Sequence, residues 1–252
     1  MVGYHRATSL ADALLQLKRQ GAYVYAGGTD LLVALREQSP WIAAVRHLVD
    51  IKGITELRGI ARRSGLLRIG ALTTAADLAR SRVVRRHALV LAEAAAQTSA
   101  PWIRARGTVG GNLLTPHPAG DMATALVALG ASVEFIGSGG RLTVLDAGEL
   151  LASRRQVSRT SVLLAVHVPT TEHSAYERVG RRSAFCRATA AVGVAETAQG
   201  LRVAVAGLGE RPFLLASVDL AGHAQEELVR ALVSRARQRA QGAQKAAEAG
   251  TV

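Results

Sequence analysis

Residues 108–129, TVGGNLLTPHPAGDMATALVAL, hold a glycine pair, an amide, two prolines and a carboxylate ahead of a dense apolar run. Gly110 and Gly111 have no Cβ, so the backbone there can turn its N–H groups outward and let a ligand approach closely. Successive outward N–H groups form a concavity that binds anions such as phosphates. The run 122–129 predicts a buried helix, with Asp121 at or near its N-cap. A glycine-rich turn before a capped helix, without any ligand, explains the same pattern.

A second glycine pair stands upstream, in residues 26–31, AGGTDL. It follows a strand-like run, 22–25, and precedes the apolar residues 31–35. Two loops of this kind could converge on one diphosphate. Neither matches G-x-G-x-x-G or G-x-x-x-x-G-K-[ST], so the two common nucleotide-binding folds lack sequence support.

Three blocks in this order resemble the FAD-binding subunit of the molybdenum hydroxylases, the family of xanthine dehydrogenase and aerobic carbon monoxide dehydrogenase. The blocks are AGGTDL (26–31), LRIGALTTAADL (67–78) and IRARGTVGGNLLTPHPAGDMATALVALGA (103–131). The resemblance implies an α+β, PCMH-type FAD-binding fold of two α/β lobes, followed by a small C-terminal α+β domain. It also implies that both glycine loops bind the FAD diphosphate and that Asp121 helps to hold the cofactor. The implied cofactor residues are Ala26, Gly27, Gly28, Thr29, Asp30, Leu31, Thr74, Thr108, Val109, Gly110, Gly111, Asn112, Asp121 and Arg178.

Two of these residues carry an open alternative, and a third departs from the residue that is usual in the family. Asp30 is equally suited to capping the helix after its loop and to binding a ribityl hydroxyl. Thr74 matches a family position near the flavin, but a simple helix cap explains it as well. Arg178 stands where the family usually has Lys, and it keeps the charge while changing the donor geometry. The family also has an acidic residue near 185–187, which here read Phe-Cys-Arg.

The chain divides, on this interpretation, near residue 170. Residues 1–170 form the FAD-binding domain, with sub-lobes at about 1–55 and 56–170, and residues 171–252 form the C-terminal domain. The segment 235–252 has no large apolar residue before its last position, so a poorly packed tail is expected there. Members of the family usually continue with a Tyr/Arg-bearing segment and a final helix, so the resemblance implies a C-terminal domain that is short or truncated here.

Composition limits the chemistry of the chain. The single cysteine, Cys186, excludes an internal disulfide and a [2Fe–2S] cluster held by this chain alone. The histidines are scattered, so we expect no metal site, and we find no motif for a catalytic residue. No apolar run is long enough to span a bilayer and the first residues lack a signal-peptide pattern, so a cytoplasmic protein without a membrane span is expected. The net charge is +12, but aromatic residues make up only 4%, which favours an arginine-rich solvated surface or an acidic subunit partner over nucleic acid.

The resemblance then implies a heterotrimer that transfers electrons. A large molybdopterin-binding subunit would oxidise the substrate, a small ferredoxin-like [2Fe–2S] subunit would relay the electrons, and FAD on this chain would pass them to NAD, a quinone or oxygen. A stand-alone flavin oxidoreductase of the same superfamily is one alternative. A degenerate scaffold without flavin is another, motivated by the short C-terminus, by residues 185–187 and by the charge of +12.

Overall fold

The computed structural model describes residues 2–115, 117, 120–157, 161–182, 186–215 and 226–249. It contains three sheets with helices packed on them, so the predicted α+β class is confirmed. The first and third sheets are each built from one stretch of chain. The second sheet is built from two stretches, which are joined by a series of helices.

The first sheet has three parallel strands in the order β1-β3-β2. Helices connect the strands because a parallel pair needs a crossover. Ser9 caps the first helix, its Oγ accepting from the amide of Asp12 at 3.1 Å. The elements are β1 (Gly3–Arg6), α1 (Leu10–Gln16), β2 (Ala22–Tyr25), α2 (Leu31–Arg36) and β3 (His47–Asp50), with 3-10 turns at Pro40–Ile42 and Thr55–Leu57.

The second sheet has five strands in the order β4-β5-β8-β6-β7, and every neighbouring pair is antiparallel. The strands are β4 (Ile60–Arg63), β5 (Leu66–Gly70), β6 (Ser132–Gly137), β7 (Leu142–Asp146) and β8 (Ser161–Pro169). The helices are α3 (Ala75–Arg80), α4 (Arg82–His87), α5 (Leu89–Gln97), α6 (Pro101–Arg104), α7 (Val109–Leu114), α8 (Asp121–Leu129) and α9 (Ala147–Val157).

The third sheet is an antiparallel one in the order β12-β11-β10-β9, covered on one face by a long helix. Its elements are β9 (Ser174–Gly180), β10 (Ala188–Thr197), β11 (Gly200–Ala206), β12 (Phe213–Leu214) and α10 (Glu226–Ala249). The other face receives α8, which is buried along its whole length. Gly193 permits this contact, since a Cβ there would lie 3.2 Å from the Cβ of Ala128. The predicted buried helix is therefore the centre of the fold.

The C-terminal helix corrects the prediction for the tail. We expected poor packing from residue 235, but Ala236 and Ala240 are 0% and 4% exposed. Together with Leu232 they recur every four residues, so they form one stripe of α10 that packs on the third sheet. Small side chains let the helix lie close, which a search for large apolar residues misses. Residues 250–252 lie outside the described part of the chain.

The composition of residues 83–98, rich in Ala and Leu, predicts one helix, but the structure has two there. The alanine-rich segment 83–98 breaks at Ala88, which has φ of −161° and ψ of 55° and separates α4 from α5. Among the described residues, no helix is both long and apolar enough to cross a membrane.

Candidate cofactor site

A cleft opens where the first sheet, the second sheet and the start of α8 meet. Both glycine pairs line it, and the space that protein atoms leave there measures about 1420 Å³, including the part open to solvent. Further lining residues come from positions outside the three blocks, namely Tyr23, Trp41, Thr98, Ser99, Cys186 and Arg187.

The first glycine loop, 26–30, offers unused amide groups to the cleft. No described protein group accepts a hydrogen bond from the amides of residues 27–31. Gly28 has φ of 73°, in the left-handed region, and a Cβ there would lie 2.3 Å from the Tyr25 ring. Only glycine fits this turn, and the turn leaves a run of free N–H donors of the kind that binds phosphate oxygens.

The second glycine pair behaves differently, because it lies in the first turn of α7. The amides of Val109 and Gly110 donate to the carbonyls of Thr73 and Ala71, both at 3.0 Å. The amide of Gly111 donates to Thr108 Oγ1 at 3.1 Å and that of Asn112 to Thr108 O at 2.9 Å. The expectation of outward amides is therefore wrong for residues 109–112, since the N-cap and the turn after β5 use them.

What the second pair offers instead is close packing and one side chain. A Cβ on Gly110 would lie 3.1 Å from Ala71 Cβ, so glycine lets α7 approach the end of β5. Asn112 lines the cleft, and its Oδ1 is buried without a hydrogen-bond partner among the described groups. A buried acceptor of this kind needs a donor, and a ligand can supply one.

The two glycine segments meet directly. A Cβ on Gly27 would lie 2.2 Å from the carbonyl oxygen of Arg106 and 3.2 Å from Gly107 Cα. The tertiary structure thus brings together the two stretches that the sequence singled out, at a distance that any side chain on Gly27 would prevent.

Asp121 lies at the far side of the cleft as the first residue of α8, after the N-cap Gly120. It is 6% exposed, and its Oδ1 accepts from Tyr176 Oη at 2.6 Å and lies 3.3 Å from Arg178 Nη1. Burial raises the pKa of Asp121 to about 6, against the lowering effect of the Arg178 charge and the Tyr176 hydrogen bond. Burial and the Asp121 charge raise the pKa of Tyr176 well above its usual value, so its hydroxyl stays a donor.

Arg178 lies behind this carboxylate. Its guanidinium donates to the carbonyl of Gln97 at 2.6 Å and to that of Cys186 at 2.5 Å. Arg178, Val109 and Thr74 are not among the described residues that line the cleft. Arg178 reaches the cleft through Asp121 and Cys186, which both line it, and its predicted contact with the cofactor stays a prediction.

Thr74 and Asp30 resolve their alternatives in opposite ways. Thr74 caps α3: its Oγ1 accepts from the amide of Asp77 at 3.1 Å and donates to the Asp77 carboxylate at 2.7 Å. Asp30 holds the N-cap position of α2 but makes no capping hydrogen bond. It accepts instead from Thr29 Oγ1 at 3.2 Å and pairs with Arg187 at 3.6 Å. The cap interpretation of Asp30 is wrong, and its role toward the cofactor stays a prediction.

Sequence reasoning missed Tyr176 and Cys186. Tyr176 and Arg178 are two residues apart in β9, so their side chains share one face, and that spacing was the available signal. Cys186 is half-buried at the cleft, where its thiol donates to the carbonyl of Arg182 at 3.2 Å. Within the described part of the chain, no group of three or more metal-ligating side chains comes together.

Comparison with known proteins identifies the family of this chain. Residues 1–171 match the family model described as the FAD binding domain in molybdopterin dehydrogenase. The carbon monoxide dehydrogenase medium chain of Afipia carboxidovorans is 32% identical over 222 residues, which are 82% of this chain and 72% of that one. The xanthine dehydrogenase FAD-binding subunit of Escherichia coli O157:H7 is 34% identical over 169 residues, which are 66% of this chain and 57% of that one.

Solved structures agree. A chain of the carbon monoxide dehydrogenase from Hydrogenophaga pseudoflava superposes with a TM-score of 0.85 at 26% identity, covering 96% of this chain and 98% of that one. The residues at the cleft fit the cofactor of this family, because residues with free amides, with an unpartnered buried amide oxygen and with glycines that permit close approach all line the same space. The chain therefore belongs to the oxidoreductase family of FAD-binding domains of molybdopterin dehydrogenases, with FAD as its cofactor.

Proposed function

We propose that this chain is the electron-transfer subunit of a molybdenum hydroxylase, passing electrons through FAD from iron–sulfur clusters on a partner subunit to NAD or another acceptor. The observation that carries the proposal is the run of free amides at residues 27–31, which faces Asn112 and Asp121 across one cleft. Relatives named for three different substrates, carbon monoxide, xanthine and nicotinate, all resemble this chain. This suits a chain that does not itself bind the substrate.

The residues divide the task of holding FAD. The amides of residues 27–31 would bind the diphosphate, and Gly27 and Gly28 keep the space around them open. Asn112 Oδ1 would accept from a donor on the cofactor, and Asp121 would accept from a hydroxyl or ring N–H group. When bound, FAD supplies the redox chemistry, while the protein positions it and sets the surrounding charge.

Tyr176 and Arg178 determine the charge at Asp121. The hydroxyl of Tyr176 donates to the carboxylate at 2.6 Å, and the guanidinium of Arg178 lies 3.3 Å away, so both favour the ionised form. Burial acts in the opposite direction and raises the pKa to about 6. Near neutral pH the group is a buried, oriented acceptor, and it offers one proton-accepting position beside the cofactor.

The partners follow from composition and from the relatives. One cysteine cannot hold a [2Fe–2S] cluster, so the cluster would belong to a small ferredoxin-like subunit and the molybdopterin to a large subunit. The names of the relatives, "medium chain" and "FAD-binding subunit", describe components of larger assemblies. A net charge of +12 favours association with acidic surfaces.

The test begins with the ultraviolet–visible spectrum of the purified protein before and after incubation with FAD and desalting. We expect two flavin bands, and release of FAD rather than FMN on denaturation. A protein that stays colourless would contradict the proposal and favour the scaffold alternative.

A second experiment addresses the partners and the acceptor. We expect the tagged chain to co-purify with an iron–sulfur protein and a molybdopterin protein, and the complex to reduce NAD, a quinone or oxygen with substrate. Turnover of a substrate by the lone chain would favour a stand-alone flavin oxidoreductase instead.

A further inference from the structure

An ion pair between α5 and α10 encloses the main chain of Tyr176. Tyr176 lies in β9, which is the edge strand of the third sheet among the described strands, so its outer backbone groups have no strand beside them. Its amide donates to Glu93 Oε2 at 2.9 Å, and its carbonyl accepts from Arg239 Nη1 at 2.9 Å. Glu93 Oε1 and Arg239 Nη2 pair with each other. These three contacts form a closed ring around one residue.

The side chain of the same residue points to the cofactor cleft. Tyr176 is 0% exposed, and its hydroxyl donates to the Asp121 carboxylate at 2.6 Å. A tyrosine side chain has only two rotatable bonds before a rigid ring, so the place of its hydroxyl follows the place of its backbone. A shift of the β9 main chain at residue 176 therefore changes the hydrogen bond to Asp121.

The second contact to Asp121 depends on the same helix. Gln97 lies one turn after Glu93 on α5, and its carbonyl accepts from Arg178 Nη1 at 2.6 Å. α5 therefore contacts both residues that hold the carboxylate. Arg239 adds a bond to Glu177 Oε1 at 2.7 Å, so its guanidinium spans two adjacent residues of β9 and one of α5.

We propose that Arg239 and Glu93 are positioning residues of the flavin site, which hold the main chain of Tyr176 so that its hydroxyl fixes the carboxylate of Asp121. The inference rests on the proposed function, in that FAD occupies the cleft beside Asp121. It assigns to the C-terminal helix a role in cofactor binding, although Arg239 touches no residue that lines the cleft among those described.

The experiment compares Arg239→Gln with Arg237→Gln, an exposed arginine of the same helix that forms no ion pair with any described residue. We expect Arg239→Gln to raise the dissociation constant for FAD about fivefold, the size of coupling found within one hydrogen-bond network. Arg237→Gln is expected to leave it unchanged. Arg239→Lys should restore little, because an ammonium cannot reach the three acceptors with a planar fork.

A double-mutant comparison separates positioning from general stability. In a Tyr176→Phe background the hydroxyl is gone, so Arg239→Gln is expected to have no further effect on FAD affinity, although it still lowers the melting temperature. An equal loss of affinity in both backgrounds would overturn the proposal, and so would a lower melting temperature with unchanged affinity in the wild-type background.

Hydrogen exchange measures the coupling between Arg239, Tyr176 and Asp121 in the protein without flavin. We expect Arg239→Gln to speed exchange in β9 and also in the first turn of α8, where Asp121 lies, and Arg237→Gln to do neither. Faster exchange in β9 alone would overturn the proposal, and this result does not depend on whether the protein binds FAD. A failure of the proposed function would instead appear only in the flavin titration, so the two failures are distinguishable.

Discussion

The glycine pairs at 27–28 and 110–111 share a sequence but differ in what their backbones offer. Around the first pair the amides of residues 27–31 have no acceptor among the described protein groups. Around the second pair, the amides of residues 109–112 all donate within the protein, at 2.9 to 3.1 Å. The first loop therefore keeps its donors available to a ligand, whereas the second packs α7 against the end of β5.

The contrast shows that a glycine pair has two separate uses. A left-handed turn such as that of Gly28 directs amides away from the chain, while a helical pair such as Gly110 and Gly111 allows close packing. On the proposed function, ligand binding at the second segment would depend on the side chain of Asn112, whose Oδ1 is buried without a described partner, rather than on the amides there.

The largest expected effect comes from closing the first loop. Gly27→Ala places a Cβ 2.2 Å from Arg106 O, so the loop has to move and its amides lose their place. We expect the affinity for FAD to fall at least a hundredfold, about 3 kcal/mol, because hydrogen bonds to a charged phosphate contribute about 1.5–3 kcal/mol each. Flavin titration of the folded variant measures this.

The matched control is Gly111→Ala. Its Cβ would meet only Thr108 Oγ1, at 3.0 Å, in a helical backbone that alanine adopts readily. FAD affinity should remain within about threefold of wild type, well under the 1.4 kcal/mol that a tenfold change requires. If both variants lost flavin equally, the distinction between the two glycine pairs would be wrong.

The next effect concerns Asp121 and pH. Its pKa of about 6 in the folded protein lies above the ordinary value of an aspartate, so the stability from this carboxyl is fully present below the unfolded pKa and lost as pH rises through about 6. Relative to Asp121→Asn, wild-type stability should fall by about 2–3 kcal/mol between acid and neutral pH, at 1.36 kcal/mol per pKa unit. Urea denaturation of the flavin-free proteins across this range measures the difference. A stability difference that does not change with pH would show that burial does not raise the pKa of Asp121.

A smaller effect is expected from the cap of α7. Thr108→Val removes the hydroxyl that accepts from the Gly111 amide while keeping the shape of the side chain. The free energy of unfolding should fall by about 1 kcal/mol, the usual contribution of an N-cap. Thr29→Val is the comparison in the first loop, where the hydroxyl meets only the Asp30 carboxylate and no stability should be lost. If thermal melts showed that the two variants lose equal stability, the distinction between the packed second glycine pair and the free amides of the first loop would be wrong.

The smallest effect is expected at the edge of the cleft. Arg187 and Asp30 pair at 3.6 Å with side chains 73% and 42% exposed. Exposed pairs of this kind contribute about 0–1 kcal/mol, so Arg187→Gln should change the free energy of unfolding by less than about 0.5 kcal/mol. A loss above 1 kcal/mol in denaturant melts would mean that the pair, rather than the Gly27 contact, holds the two sides of the cleft together.

Several features were predictable because they depend on local chemistry. The apolar density of 122–129 predicted a buried helix, and Ser9 and Thr74 act as the caps that their residue types favour. The break at Ala88 was not predictable, since alanine is the best helix former and nothing nearby marks a stop. The packing of α10 was missed because its stripe of alanines buries little area per residue and gains its contact only from the sheet beneath it.

The sequence by itself determined which segments require glycine, that a carboxylate precedes the central helix, and that no iron–sulfur cluster fits on a chain with one cysteine. Only the tertiary structure decided which amides remain free. The carbonyls of Ala71 and Thr73, which accept hydrogen bonds from the first amides of α7, come from a different part of the chain. The tertiary structure also decided that Tyr176, rather than the helix N-cap, holds Asp121, and that Arg239 stands behind Tyr176. Such contacts join residues 55 and 63 positions apart, and their energy exists only once the fold has brought the partners together.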